Sequence, residues 1–305
     1  MKDVLIHLPR HQYERPASER TGFYHHLATG LAERGHQVAF ACRQSIEAHP
    51  SFHAEAFHFC HQGLVRQGNV LNTGIAYLKG FWYADPMGVF ADSSIAGLAF
   101  DPEAVDGKWA AGFARRLRAR LIGARASKYA QPKARHSFAP GAIAAFLQGP
   151  SEIVTRARHM SEPQMIRALA RARPATPVLV KPHPQKPDPD TLAEILALQP
   201  EHPNIRIVDA NIHDMLAGAL VCASICSSVA IEAMLHNTPA LMFGRTDFHH
   251  CATTVTTEGA VAAALDEATR QPWPYDRFLL WFLKLNCLDL RSGDWLERIA
   301  QRMQA

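Results

Sequence analysis

The chain has 305 residues, 48% of them hydrophobic and 20% charged, with a formal net charge of +4. That length suits two domains, and the composition is that of an ordinary globular protein. The basic excess is small and interleaved with acids, so nucleic acid is not an expected partner.

The chain opens on Met-Lys-Asp-Val-Leu-Ile, which reads as a short strand and not a signal peptide. No apolar run approaches the roughly 18–20 residues of a spanning helix. Val4–Leu8 is a strand, Gly22–Arg34 a helix with Phe23, Leu27 and Leu31 on one face, and Gln37–Cys42 a second strand. This strand-helix-strand order implies a parallel sheet with a right-handed crossover. The polar loop between them carries Arg10, Arg15, Glu19 and Arg20 and lacks the G-x-G-x-x-G of a dinucleotide site. Residues 69–101 are rich in Gly, Asp, Asn and aromatics and read as one long irregular loop. It is either packed on its own aromatics or the wall of an acceptor cleft, with Trp82 and Tyr83 placed to stack on a sugar.

A helix is expected over 106–128. Its basic cluster, Arg115, Arg116, Arg118, Arg120, Arg125 and Lys128, reads as a solvated face or as contact with an anionic membrane surface or polyanionic acceptor. Residues 130–140 contain two prolines and little hydrophobicity, and the domain boundary is placed there: 1–135 as an N-terminal, acceptor-side domain and 136–305 as a C-terminal, nucleotide-sugar domain. The second half then alternates. Strands are expected at 143–147, 178–181, 205–208, 220–225 and 240–243, and helices at 162–172, 189–198, 212–217, 229–236 and 258–269. That rhythm belongs to a doubly wound parallel sheet. Helical runs at 275–288 and 292–304 close the chain. The fold class is therefore α/β, with two facing Rossmann-like domains, parallel sheets and C-terminal helices. This arrangement is found in GT-B glycosyltransferases and in some epimerases.

Six cysteines, Cys42, Cys60, Cys222, Cys226, Cys251 and Cys287, show no C-x-x-C spacing and fit free thiols in a reducing cytoplasm. The 17 histidines form no compact metal motif, and the doublets His25-His26 and His249-His250 read first as loop or helix-surface residues. Asp188-x-Asp190 lies in KPDPD and reads as a proline-rich helix entry rather than a metal pair. No cofactor and no metal is expected.

Chemistry concentrates at strand ends of the second half, where an open α/β sheet binds ligands. Lys181-Pro182-His183-Pro184 follows one apolar run and Ser227-Ser228 another. His183 between two prolines has a fixed backbone and an imidazole able to donate to a phosphate oxygen, with Lys181 as a nearby cation. Ser227 and Ser228 at a helix start serve either as caps or, with free N–H groups, as an anion cradle. Glu232 lies four residues beyond Ser228, the only charge in an apolar run, and needs a ribose diol or a neighbouring Arg or Lys. Gln148 and Gly149 follow the first strand of this half, Gly149 allowing close approach of backbone to ligand. Glu152 is either a catalytic carboxylate or a first-turn residue of a helix. Glu19, Asp85 and Asp92 are alternative carboxylates in the first half.

At these residues the chain resembles bacterial capsule-polysaccharide biosynthesis proteins that use CMP-activated acidic sugars, including the Kdo transferases of capsule assembly and, more distantly, polysialyltransferases. The likeness is clearest over 143–290. It rests on Gln148–Glu152, Leu179–Pro184, Asp214-Met215-Leu216, Ser227–Gly244, and Arg277–Leu279 with Trp281; residues 72–95 are loosely similar. The resemblance implies that His183, Ser227 and Ser228 contact the CMP phosphate, whereas Glu152 matches the acidic motif only in part. The expected function is transfer of Kdo or a similar acidic sugar from a CMP donor to a surface polysaccharide or glycolipid, without a metal ion. The protein is expected in the cytoplasm, with peripheral contact at the inner membrane. The alternatives are a nucleotide-sugar epimerase or hydrolase on the same scaffold, or a non-catalytic glycan-binding or export partner.

Overall fold

The structure is a computed structural model that describes residues 3–16, 22–43 and 55–304. Glu19 and Arg20 lie outside them. Packing divides the chain into two units, Met1–Ala99 with Phe282–Ala305, and Phe100–Trp281. The division therefore differs from a single boundary at 135. Residues 100–135 pack with the second unit, where the Arg118 guanidinium donates to the Leu235 carbonyl at 2.8 Å. The closing residues return to the first unit.

The first unit begins with β1 (Asp3–Leu8), α1 (Arg10–Tyr13), α2 (Phe23–Ala32), β2 (Val38–Cys42), β3 (Ala56–His61), β4 (Val70–Ile75) and β5 (Phe81–Asp85). Alternation along β1 sends Val4, Ile6 and Leu8 against Phe23, Leu27 and Leu31 of α2, with Phe57 and Phe59 of β3 in the same core. β1 to β4 are parallel, while β5 runs antiparallel to β4.

The stretch 69–101 is thus not one long loop. Its aromatics build two strands, joined by a turn in which Tyr77 and Gly80 take left-handed backbone angles, φ 61° and 91°. Tyr83 is buried against Tyr77 and Phe90, and Trp82 stacks on Phe23 with centroids 4.1 Å apart. These two rings are core, not a sugar-stacking wall. Asp85 is likewise engaged. Its carboxylate accepts from the backbone of Met87 (2.8 Å), Gly88 (3.1 Å) and Ser94 (3.0 Å) and from the Ser94 hydroxyl (2.6 Å), which ties down the turns that follow β5. Asp92 closes the short 3-10 turn Phe90–Asp92, its backbone packed close to Gly88.

In the second unit, α3 (Gly107–Arg118) is capped by Asp106 and continues into a π-helical turn, Ala119–Gly123. There follow β6 (Ile143–Phe146), α4 (Glu152–Ala157), α5 (Glu162–Ala172), β7 (Val178–Lys181), α6 (Pro189–Ala197), β8 (Ile205–Ile207), α7 (Ile212–Leu216), β9 (Val221–Ser224), α8 (Val229–Leu235), β10 (Ala240–Met242), β11 (Thr253–Thr254), α9 (Val261–Arg270) and α10 (Tyr275–Leu279). The expected rhythm is found, with short β11 added. The Asp188 side chain caps α6, accepting from Asp190 and Thr191, as the helix-entry reading of KPDPD requires. The sheet is wholly parallel, in the order β11-β10-β9-β6-β7-β8. Its strands are near-continuous apolar runs because both faces are covered. One face packs Met165, Ile166 and Leu169 of α5 with Leu265 of α9; the other packs Met215 and Leu216 of α7 with Ala233 of α8.

The run expected as a helix over 275–288 is α10 followed by a π-helical stretch, Leu280–Asn286, and then β12 (Leu288–Asp289). β12 pairs antiparallel with β5, completing a first sheet of order β12-β5-β4-β3-β1-β2, and α11 (Trp295–Arg302) closes the chain. Among the described residues no helix is long and apolar enough to cross a membrane.

Replacing Asp85 by Ala orphans the donors that converge on it. Asp85→Ala is expected to lower stability by roughly 2–4 kcal/mol in urea unfolding, and Asp85→Asn by less, since one acceptor oxygen remains.

Candidate functional site

The strand order of the second sheet reverses between β6 and β9, and the crevice beyond their carboxyl ends is where such sheets hold ligands. Gln148 spans that position. Its Oε1 accepts from the Cys226 backbone N–H at 2.7 Å, and its Nε2 lies 3.6 Å from the Cys226 sulfur. The loop after β6 is thereby fixed to the loop after β9. At Gly149 a Cβ would stand 2.4 Å from the Lys186 carbonyl oxygen, so the missing side chain admits the loop after β7.

His183 sits in that loop, half-buried. Its Nδ1 accepts from the backbone N–H groups of Lys186 (3.0 Å) and Gln185 (3.2 Å). An Nδ1 that accepts leaves the proton on Nε2, so the ring presents a donor. Burial, with Lys128 and Lys186 adding like charge, lowers its pKa below the ordinary histidine value. The ring meets Tyr129 edge to face at 5.0 Å, and the Lys128 ammonium stands 5.5 Å from the centre of the Tyr129 ring.

Lys128, not Lys181, is the cation beside His183. Lys181 ends β7 with its side chain buried and bonded to Asp209 at 2.9 Å. Burial lowers the Lys128 pKa, and Glu232 opposes that fall. Glu232 is 1% exposed on α8, and neither of its oxygens makes a well-formed hydrogen bond among the described residues. Burial pushes its carboxyl up to about 7, with the Ser127 hydroxyl and Lys128 pulling it down. The sequence offered a choice between a ribose diol and a cation for this group. The cation is present at Lys128, while the hydrogen-bonding capacity of the carboxylate is left unfilled.

Ser227 and Ser228 precede α8. The Ser227 hydroxyl accepts from the Val229 N–H at 3.3 Å, and the Ser227 N–H donates to the Ser224 hydroxyl at 3.3 Å. Ser228 is the cap residue, and its hydroxyl makes no cap bond. Glu152 stands exposed as the first residue of α4, whose cap is Ser151; this is the first-turn reading. A different carboxylate lies at the end of β6. Glu162, in the first turn of α5, accepts from the Gln148 N–H, and burial with nearby Asp188 raises it to about 7.

The structure thus gathers His183, Lys128, Tyr129 and Glu232, and separately Gln148, Cys226 and Glu162. Sequence reasoning missed Ser127, Tyr129 and Glu162. Ser161-Glu162-Pro163-Gln164 is a capping box, the one local signal that marked Glu162. Nothing local marks Ser127 and Tyr129, which reach the site only through the folded course of residues 125–136. The basic cluster is also divided. Arg118 bonds Asp276 at 2.7 Å and Arg125 bonds Asp214, leaving Arg115 and Arg116 exposed on α3. Among the described residues no group of three or more His, Cys, Asp or Glu side chains is placed to hold a metal ion.

No protein-family model matches the sequence, and no curated protein is significantly similar to it. Solved structures do match the fold along its full length. The Thermosulfurimonas dismutans KpsC beta Kdo 2,7 transferase is 12% identical, with 99% of each chain covered and a TM-score of 0.56. The beta Kdo 2,4 transferase of the same KpsC is 14% identical, with 99% of this chain and 98% of that chain covered and a TM-score of 0.57. The likeness to Kdo transferases read from the motifs is therefore found in the fold, that of a two-domain α/β protein with Rossmann-like sheets.

The Glu232 carboxyl, at about 7 in the folded chain against an ordinary 4.5, keeps a proton that the unfolded chain releases between those values. Stability contributed by this group is therefore lost as pH rises through that window, and the penalty is complete above it. Glu232→Gln should gain stability over wild type by on the order of 2–3 kcal/mol between about pH 5 and about pH 8, read by chemical unfolding at each pH. A constant difference across that range would place the acid elsewhere.

Proposed function

We propose that the chain is a glycosyltransferase that binds a nucleotide-activated sugar on the second unit and passes the sugar to a glycan or glycolipid acceptor. A CMP-linked acidic sugar such as Kdo is the favoured donor. The observation that supports this reading is the set of groups beyond β6, β7 and β9: an imidazole fixed as an Nε2 donor at His183, a half-buried ammonium at Lys128, and a buried carboxylate with unfilled hydrogen bonds at Glu232. Donor and cation suit a phosphate, and the carboxylate suits the hydroxyls of a ribose.

In this reading His183 and Lys128 stabilise the departing phosphate. As negative charge grows on the phosphate oxygen, Nε2–H and the ammonium meet it without reorganisation, because both are already held by the fold. The Ser228 hydroxyl adds a donor at the start of α8. Glu162, poised near neutral pH, takes the place expected of Glu152 as the carboxylate available for proton transfer. The charge on the phosphate is offset by side chains, so no metal is required. Arg115 and Arg116 remain for contact with an anionic surface.

Calorimetric titration with CMP, UDP and GDP tests this. CMP is expected to bind most tightly, and His183→Ala or Lys128→Gln to weaken it by about 2–3 kcal/mol. Glu162→Gln should abolish turnover while sparing nucleotide binding, and Glu152→Gln should leave both near wild type. Absence of nucleotide binding would favour the non-catalytic partner, and sugar release without an acceptor product would favour the hydrolase. Turnover that collapses with EDTA and returns with magnesium would remove the metal-free mechanism.

A further inference from the structure

The first unit carries a polar cluster of its own. β1, β3 and β4 are adjacent and parallel, and the strand order reverses at β1 and β3. The carboxyl ends of those two strands are the expected ligand position of this sheet as well. His61 is the last residue of β3, and it pairs in register with Thr73 of β4. The Tyr24 hydroxyl on α2 lies 2.7 Å from His61 Nδ1 and 2.8 Å from Thr73 Oγ1, and Thr73 Oγ1 lies 3.3 Å from the Cys60 carbonyl oxygen.

These contacts have a direction. A carbonyl only accepts, so the arrangement that makes all three bonds sends the single Thr73 proton to Cys60. The Tyr24 proton then goes to Thr73, and His61 Nδ1 supplies its proton to the Tyr24 oxygen. Nε2 is left with a lone pair, and no described residue hydrogen-bonds it. Beside the ring stands Arg43. Its Nη1 donates to the carbonyls of His61 (2.6 Å) and Gln62 (3.3 Å), leaving Nε and Nη2 without a hydrogen bond among the described residues. Burial, Arg43 and His11 hold the imidazole at about 4, so it is neutral near pH 7. A fixed acceptor next to a guanidinium with spare donors recognises one chemistry, a hydroxyl and a carboxylate on the same small molecule.

We propose that His61 Nε2 and Arg43 bind an acidic saccharide, Nε2 accepting from a sugar hydroxyl and Arg43 donating to the carboxylate, with Tyr24 and Thr73 as positioning residues. As the acceptor end of the reaction, the proposal rests on the transferase reading above.

The test is calorimetric titration of the full chain with two probes, the methyl glycoside of Kdo and methyl glucoside, alongside CMP on the same samples. Wild type is expected to bind the Kdo glycoside at least about tenfold more tightly than the glucoside. His61→Ala should weaken the Kdo glycoside about tenfold, Tyr24→Phe by several-fold, and Arg43→Gln should erase the preference between the two sugars. CMP affinity should be unchanged in all three, which reports that the chain is folded. If His61→Ala has lost CMP affinity through misfolding, Tyr24→Phe decides. Wild type binding neither glycoside, or His61→Ala binding like wild type, overturns the proposal. CMP binding with no glycoside binding sinks this site alone; glycoside binding with no nucleotide binding sinks the transferase reading and keeps this site. Histidine 15N NMR reads the relay directly: a protonated Nδ1 is expected, and an Nε2–H tautomer refutes the assigned direction.

Discussion

One carboxylate determines how the second unit presents its chemistry. Asp214 on α7 accepts two bonds from the Arg125 guanidinium and, at 2.9 Å, one from the His136 backbone N–H. Around it, the Asn211 side chain donates to the carbonyls of Arg125 and Pro132, the Gln131 side chain accepts from the Ile212 N–H, and His213 Nε2 meets the Ala126 carbonyl at 2.9 Å. Residues 125–136 contain no helix or strand, so their backbone groups need partners from elsewhere. α7 supplies them. The end of the expected helix over 106–128 and the start of the expected linker at 130–140 therefore form one pinned strap, which carries Ser127, Lys128 and Tyr129 to Glu232 and His183. The Asp214 carboxyl is held below its ordinary value chiefly by its bonds to Arg125. The clamp therefore stays charged across the pH range in which Glu232 titrates.

The strap creates an electrostatic tension that a core would not tolerate without a reason. Lys128 is desolvated, and Glu232 is more so. Each favours the charged form of the other, but the attraction does not offset desolvation at either group. A carboxylate buried for stability would have its lone pairs filled, as Asp85 does in the first unit with its four donor groups. Glu232 is left short of donors, with the Ser127 hydroxyl and Lys128 only partly offsetting its burial. Glu162 shows the same pattern more mildly, with one backbone donor and a raised pKa.

What the sequence revealed followed from periodicity. The second sheet was legible because each strand is a short apolar run with helix caps or breakers between, and burial on both faces makes those runs continuous. The first sheet was half legible. β4 and β5 contain Asn72, Gly74 and Asp85, residues rare in strands, and their side chains are satisfied by loops rather than by the ladder: Asn72 bonds Val65 on both sides. β12 is only two residues long and carries no pattern. Among the candidate residues, His183 stands out along the chain because two prolines flank it. Lys181 was misread because the strand period places it on a covered face, where Asp209 pairs with it. Glu152 and Glu162 both begin helices; the capping box at Ser161 marks the second helix start, but the burial that separates the two carboxylates is invisible along the chain.

Both sheets obey the same topological rule with different contents. In the second, reversal between β6 and β9 opens a gap that Gln148 bridges, and around it stand groups that donate to or balance negative charge. In the first, reversal at β1 and β3 places His61 with its Nδ1 2.7 Å from the Tyr24 hydroxyl, and Thr73 next along the same chain. The two histidines thus have unlike partners: backbone N–H groups fix His183 as a donor, whereas His61 meets a chain of hydroxyls that ends on a carbonyl. Under the proposed reading a phosphate would meet the donor at His183 and a sugar hydroxyl would meet the acceptor at His61, so the two sites would differ by hydrogen-bond polarity alone.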